Sequence, residues 1–186
     1  MKNCFIIFVV CFFAFAFTQD KKDIIPWKEN RKLTWDDFRG KPQKRMAAAS
    51  TTYDILKNVS SRNSKSGSFE IETVFYCNQS WKKEEWIDET VLIHEQKHFD
   101  IAELFARKLR KELKEQRYKS QQDLVDKAKA LFKRTDKEMD IYQDEYDDKT
   151  DGSMNGEKQR EWNKKISDEI GKLDAYAATS FTVAIN

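Results

Sequence analysis

The sequence predicts an α+β fold, a small antiparallel sheet packed on one long helix with further helices toward the C-terminus. Three observations carry this. The stretch FEIETVFY at 69–76 alternates Phe69, Ile71, Thr73 and Phe75 with Glu70, Glu72, Val74 and Tyr76, the period of a strand with one apolar face. From 84 to 118 the period changes, and Val91, His94, His98, Ala102, Phe105, Leu109 and Leu113 step by three or four, drawing one stripe on a helix with charges on its other faces. Two more helical stretches follow at 121–145 and 157–175, divided by the glycine-bearing DDKTDGSMNGE.

The first twenty residues, MKNCFIIFVVCFFAFAFTQD, carry Lys2 and then an uncharged apolar run over residues 4–17. That run is shorter than the ~20 residues a membrane span requires. Ala14-Phe15-Ala16 fits a small-x-small cleavage rule, and Ala16-Phe17-Thr18 is a second such site. The expectation is a signal peptide at 1–18 and a single exported domain at 19–186, periplasmic or extracellular and with no membrane span after cleavage. A retained anchor is the other reading of the same run. A lipid anchor at Cys11 is disfavoured by the bulky Val10 before it. Two of the three cysteines fall in this segment, so Cys77 has no partner in the mature chain and is expected to be a small buried apolar residue.

Residues 19–32 are charged, contain Pro26, and are expected to form a loosely held lead-in. KLTWDDF at 32–38 reads as a short strand or a turn entering a helix, punctuated by Gly40 and Pro42. Residues 47–58 read as a strand, SSRNSKSGS at 60–68 as a polar loop, and 69–77 as the returning strand of an antiparallel hairpin. TSFTVAI at 179–185 is β-branched and reads as a terminal strand. Lys+Arg number 34 and Asp+Glu 32, so the net charge is +2, and no basic run interleaved with aromatics suggests nucleic-acid binding.

Both histidines of the chain lie in His94-Glu95-Gln96-Lys97-His98. On a helix, four residues bring the second imidazole about 40° around and one turn along, so both rings reach one ion. Glu95 sits beside them, where a carboxylate can take a proton from a zinc-activated water attacking a carbonyl. Two unpaired rings on an apolar stripe would each cost about 1–3 kcal/mol, which an ion relieves. His94 and His98 are therefore the expected zinc ligands and Glu95 the catalytic base. Ile101 and Leu104 exclude the extended three-histidine signature. Glu103, nine residues on from His94, falls on the far side of the helix, toward solvent or the next element. The third ligand is left to a carboxylate, with Glu138, Asp140, Asp144, Asp147 and Asp151 in range, to Cys77, or to nothing.

Several stretches together resemble a family of exported bacterial proteins of unknown function described as zinc-dependent proteases: LTWDDFRG (33–40), AAAST (47–51), SW (80–81), HEQKHFDIAELFARKL (94–109), YDDKTDGSMN (146–155) and QREW (159–162). The resemblance implies zinc at His94 and His98 with Glu95 as general base. In the family's pattern Tyr-Asp-x-x-Thr is followed one residue later by a histidine. Tyr146, Asp147 and Thr150 match, but Gly152 stands at the histidine's position. The departure leaves the third position to Asp147 or Asp151, or leaves a site that binds metal weakly. Trp35, Trp81 and Trp162 also match and are expected to pack in the core or a groove. Asp100 is expected to orient an imidazole or to pair with a nearby Arg or Lys.

The leading expectation is an exported zinc metallopeptidase acting on a peptide or protein. The alternative is a catalytically degenerate relative that binds partners in the periplasm or at the cell surface. A third reading makes the helices at 84–118 and 121–145 a partner surface. Substrate and oligomeric state are not legible.

Overall fold

A computed structural model describes residues 23–63 and 65–186, so the predicted signal peptide lies outside the described residues. The expected α+β class is the observed one. Strands β1 (Ile24–Pro26), β2 (Ala49–Ser50), β3 (Tyr53–Asn63), β4 (Ser66–Tyr76) and β5 (Trp81–Lys82) precede three helices, α1 (Glu89–Glu115), α2 (Gln121–Thr150) and α3 (Gly156–Gly171), and β6 (Ser180–Ala184) closes the chain.

The hairpin is real but longer and shifted. β3 pairs antiparallel with β4, Tyr53 opposite Phe75 and Val59 opposite Phe69, and pairing continues through most of the expected 60–68 loop. On its other edge β4 is flanked by β1, Ile25 opposite Phe75, and by β6, Phe69 opposite Phe181. The expected 47–58 strand is broken at Thr51-Thr52. Ala49–Ser50 pair with Trp81–Lys82 instead, forming a separate two-stranded ribbon.

From Asp23 onward the lead-in is not loose. β1 joins the sheet, Trp27 Nε1 donates to Asp100 at 2.9 Å, and the Leu33 amide donates to Gln96 Oε1 at 2.7 Å. KLTWDDF forms a single 3-10 turn at Trp35–Asp37, closed by the Asp37 carboxylate accepting from the Thr34 amide at 2.7 Å. Leu33 and Phe38 then pack with Phe75, Cys77 and Phe99 in a small second core. Cys77 is buried there, as expected. Trp81 and Trp162 are buried, and Trp35 packs against the second core.

α1 starts at Glu89 because Asp88 caps it, accepting from the Val91 amide. It is buried on more than one stripe. The sheet covers one side and α2 and α3 cover others, so Glu95, Asp100, Glu103, Arg107 and Arg110 are buried with the apolar residues. Such charges must be paired, and all are except Glu95, whose Oε2 has no hydrogen-bond partner. Glu103 accepts from Thr73 Oγ1 at 2.8 Å, Arg107 Nε at 3.0 Å and Arg110 at 2.9 Å and 3.1 Å. Arg110 also donates to the carbonyls of Ile71 and Tyr176, and Arg107 reaches Asp174 at 2.6 Å. Glu103 thus faces the next element rather than solvent, fastening α1 to β4 and to the turn after α3.

α2 runs five residues beyond the expected end, to Thr150. Its buried stripe Leu124, Ala128, Leu131, Thr135, Met139, Gln143, Tyr146, Thr150 stays in register past the run of acids. The helix stops where Asp151, Gly152 and Ser153 adopt positive φ in succession. Asn155 then caps α3, accepting from the Lys158 amide.

Candidate metal centre

His94 and His98 lie one turn apart on α1, as their spacing requires, with ring centroids 4.7 Å apart. α2 packs back against α1 so that Asp147, in its last helical turn, meets both rings. Asp147 Oδ1 lies 3.1 Å from His94 Nε2 and 2.9 Å from His98 Nε2, and the two Nε2 atoms are 3.1 Å apart. Among the described residues, His94, His98 and Asp147 form the group of side chains that can hold a metal ion. Asp147 joins it because the helix continues, whereas the sequence placed it in the loop. Asp151 is the left-handed cap of α2, is exposed, and is not in this group. Gly152 follows it, with φ +54 and nothing within 4 Å of where a Cβ would sit.

The outer nitrogen of each ring is held from behind. Gln143 Oε1 lies 2.6 Å from His98 Nδ1, while the same amide's nitrogen donates to the His98 carbonyl at 2.9 Å. That second bond fixes which amide atom faces the ring, so Nδ1 must carry the proton. Gln159 does the same for His94. Its Oε1 lies 3.0 Å from Nδ1, and its nitrogen donates to Tyr146 Oη at 2.6 Å and Asn163 Oδ1 at 2.7 Å. With both protons outward, both Nε2 lone pairs point inward at a carboxylate oxygen.

Three acceptors facing one another repel unless a cation sits between them. In the bare protein a proton serves. Burial lowers His98's proton affinity, but the hydrogen bond it donates to Asp147 and the charges of Glu95 and Asp147 outweigh it, and the pKa rises above the ordinary histidine value. Burial likewise opposes ionisation of Asp147, but the two imidazoles outweigh it and hold the carboxyl far below the usual carboxylate range.

Donor chemistry and spacing fit a divalent ion. A tetrahedral zinc with bonds of about 2.0–2.1 Å separates its ligands by ~3.3 Å, close to the spacing found. Two neutral imidazoles and one carboxylate leave a fourth position open, the pattern of catalytic sites. The site also holds a polar atom that the fold does not satisfy. Glu95 is 5% exposed, and its Oε2 has no hydrogen-bond partner. Nearly all buried polar atoms are paired in folded proteins, so such an exception points to use.

Tyr146 forms one wall, stacked on His94 at 4.7 Å and edge-on to His98 at 5.1 Å. Tyr53, at the start of β3, lies beside Gln143. Burial, with the charges of Asp140, Asp147 and Asp144, keeps its phenol protonated well above the ordinary tyrosine value. Asp100 does not orient an imidazole. It accepts from Trp27, Gln96 and Lys97 on another face of α1. Gln143 and Gln159 do that work, and sequence reasoning missed both. The available signal was a glutamine at an apolar-stripe position on each helix.

The chain matches the family described as "Bacterial protein of unknown function (DUF922)" over residues 30–156. It belongs to that family. The matched span includes His94, Glu95, His98, Gln143 and Asp147 but ends before Gln159. No curated protein and no solved structure matches the chain.

Proposed function

We propose that this DUF922 protein is an exported zinc-dependent peptidase. The observation that carries the reading is the convergence of His94 Nε2, His98 Nε2 and Asp147 Oδ1, with both Nδ1 protons pinned outward. His94, His98 and Asp147 would hold the ion. When bound, zinc supplies Lewis-acid polarisation of a carbonyl and makes water acidic enough to lose a proton near neutral pH.

The chain's own residues do the rest. Gln143 and Gln159 keep each imidazole in the tautomer that leaves Nε2 free and fix its orientation. Glu95, one residue from His94 and with an unpartnered buried oxygen, takes the proton from the attacking water and returns it to the leaving amine. Tyr146 walls the rings against one side of the core. Export is supported by the N-terminal apolar run and its small-x-small sites.

The test is cleavage of a mixed peptide library by the zinc-loaded protein, with and without chelator. Cleavage that stops with chelator, returns with zinc and is absent in Glu95→Gln supports the reading. A zinc-loaded protein that cleaves no peptide, or whose Glu95→Gln variant cleaves equally well, overturns it.

A further inference from the structure

The metal centre leaves one surface of the molecule unused. Between Phe38 and Tyr53 the sequence holds Arg39, Lys41, Lys44 and Arg45 and no acidic residue. Residues 41–46 are all exposed, and Met46 is 93% exposed, the most exposed large apolar side chain described. The loop is pinned at its base. Gly40 N donates to Ser80 O at 2.7 Å, and a Cβ on Gly40 would come within 2.8 Å of that oxygen, so only glycine allows the approach.

The neighbouring segment adds to the patch. Lys83 Nζ donates to the Arg45 carbonyl and lies 4.1 Å from the ring centre of Trp86, which is 45% exposed. The Arg45 guanidinium lies 5.1 Å from the centre of the buried Trp81 ring. Of the two acids in that segment, Glu84 pairs with Lys82 at 3.1 Å, and Glu85 precedes Trp86. The described chain begins at Asp23, which bonds Arg39 at 2.9 Å.

We propose that this patch docks the domain peripherally on an anionic lipid surface. The cations answer the headgroups, and Met46 and Trp86 enter the boundary between headgroups and acyl chains. Tryptophan favours that interface because its ring is apolar and its N–H polar. An anionic polymer would engage the same cations but gives no role to the exposed methionine.

The chain from residue 19 carries every described element and is the protein to test. Its sedimentation is measured with vesicles of phosphatidylglycerol and phosphatidylcholine, and with phosphatidylcholine alone. The expected result is binding to the anionic vesicles only. Lys41→Gln with Lys44→Gln should weaken it roughly thirtyfold and Met46→Ser about tenfold, both with unchanged melting temperature. These side chains sit on the surface, so the fold survives their change. No binding by the wild type, equal binding to neutral vesicles, or undiminished binding by both variants overturns the proposal. Binding to heparin without binding to vesicles also overturns it, and reassigns the loop to a polyanion.

Discussion

Gln143 grips His98 at two points, its amide oxygen 2.6 Å from Nδ1 and its amide nitrogen donating to the His98 carbonyl at 2.9 Å. One side chain thereby sets both the tautomer and the tilt of the ring. Gln143→Leu keeps the volume but removes both bonds, and should lower zinc affinity about 10–100-fold. Competition titration against a zinc-sensitive dye measures it. An unchanged affinity would mean that the ring is oriented by packing against Tyr146 alone.

Glu95 should trade stability for function. Its Oε2 is buried without a partner, so the native fold carries the cost of desolvating that oxygen. Glu95→Gln is expected to retain zinc, to lose about 10²–10⁴-fold in turnover, and to melt no lower than the wild type. Thermal melting beside a peptide-cleavage assay checks both halves. A clear drop in melting temperature would mark Glu95 as a structural residue.

The pH dependence follows from the two shifted groups. In metal-free protein His98 titrates above its ordinary value, and its share of stability is lost as pH rises through that raised pKa. Asp147 titrates far below its ordinary range, and its share is lost only as pH falls through the depressed value. Between those limits the pair is fully charged. Chelated protein should therefore melt a few degrees higher at about pH 6 than at about pH 8, and Asp147→Asn should abolish the difference. Zinc reverses the order, because it needs the imidazoles unprotonated and so stabilises more at the higher pH. Scanning calorimetry with and without zinc tests the crossing.

Arg110 is fully buried and satisfies Glu103 and the carbonyls of Ile71 and Tyr176. Arg110→Ala removes a donor from all three, leaving Glu103 with only Thr73 and Arg107, and should cost about 3–5 kcal/mol. For a domain of this size that is a fall in melting temperature of roughly 6–20 °C. A smaller loss would mean that water reaches Glu103.

The paired histidines and Glu95 were legible because helix geometry alone brings i and i+4 together, with no knowledge of the rest of the fold. Asp147 was legible only as one of several acids. Choosing it requires knowing that α2 reaches Thr150 and packs back on α1. The stripe Met139, Gln143, Tyr146, Thr150 carried that extension, but Asp144, Glu145, Asp147 and Asp148 around it read as a helix dissolving into a loop. Glu103 read as facing solvent or the next element, and Arg107 and Arg110 as charges on the helix's other faces, since a one-stripe helix cannot be told from a central one by period alone. Their mutual pairing, which pays for their burial, appears only once β4 and the turn at Asp174–Tyr176 are in place.

Which carboxylate completes the metal site is tested most directly by metal analysis of the purified protein. After incubation with zinc and removal of excess, wild type should retain about one ion per chain. His94→Ala and Asp147→Ala should lose it, while Asp151→Ala should keep it. A wild type that holds no zinc, or an Asp147→Ala variant that holds as much as the wild type, would contradict the account.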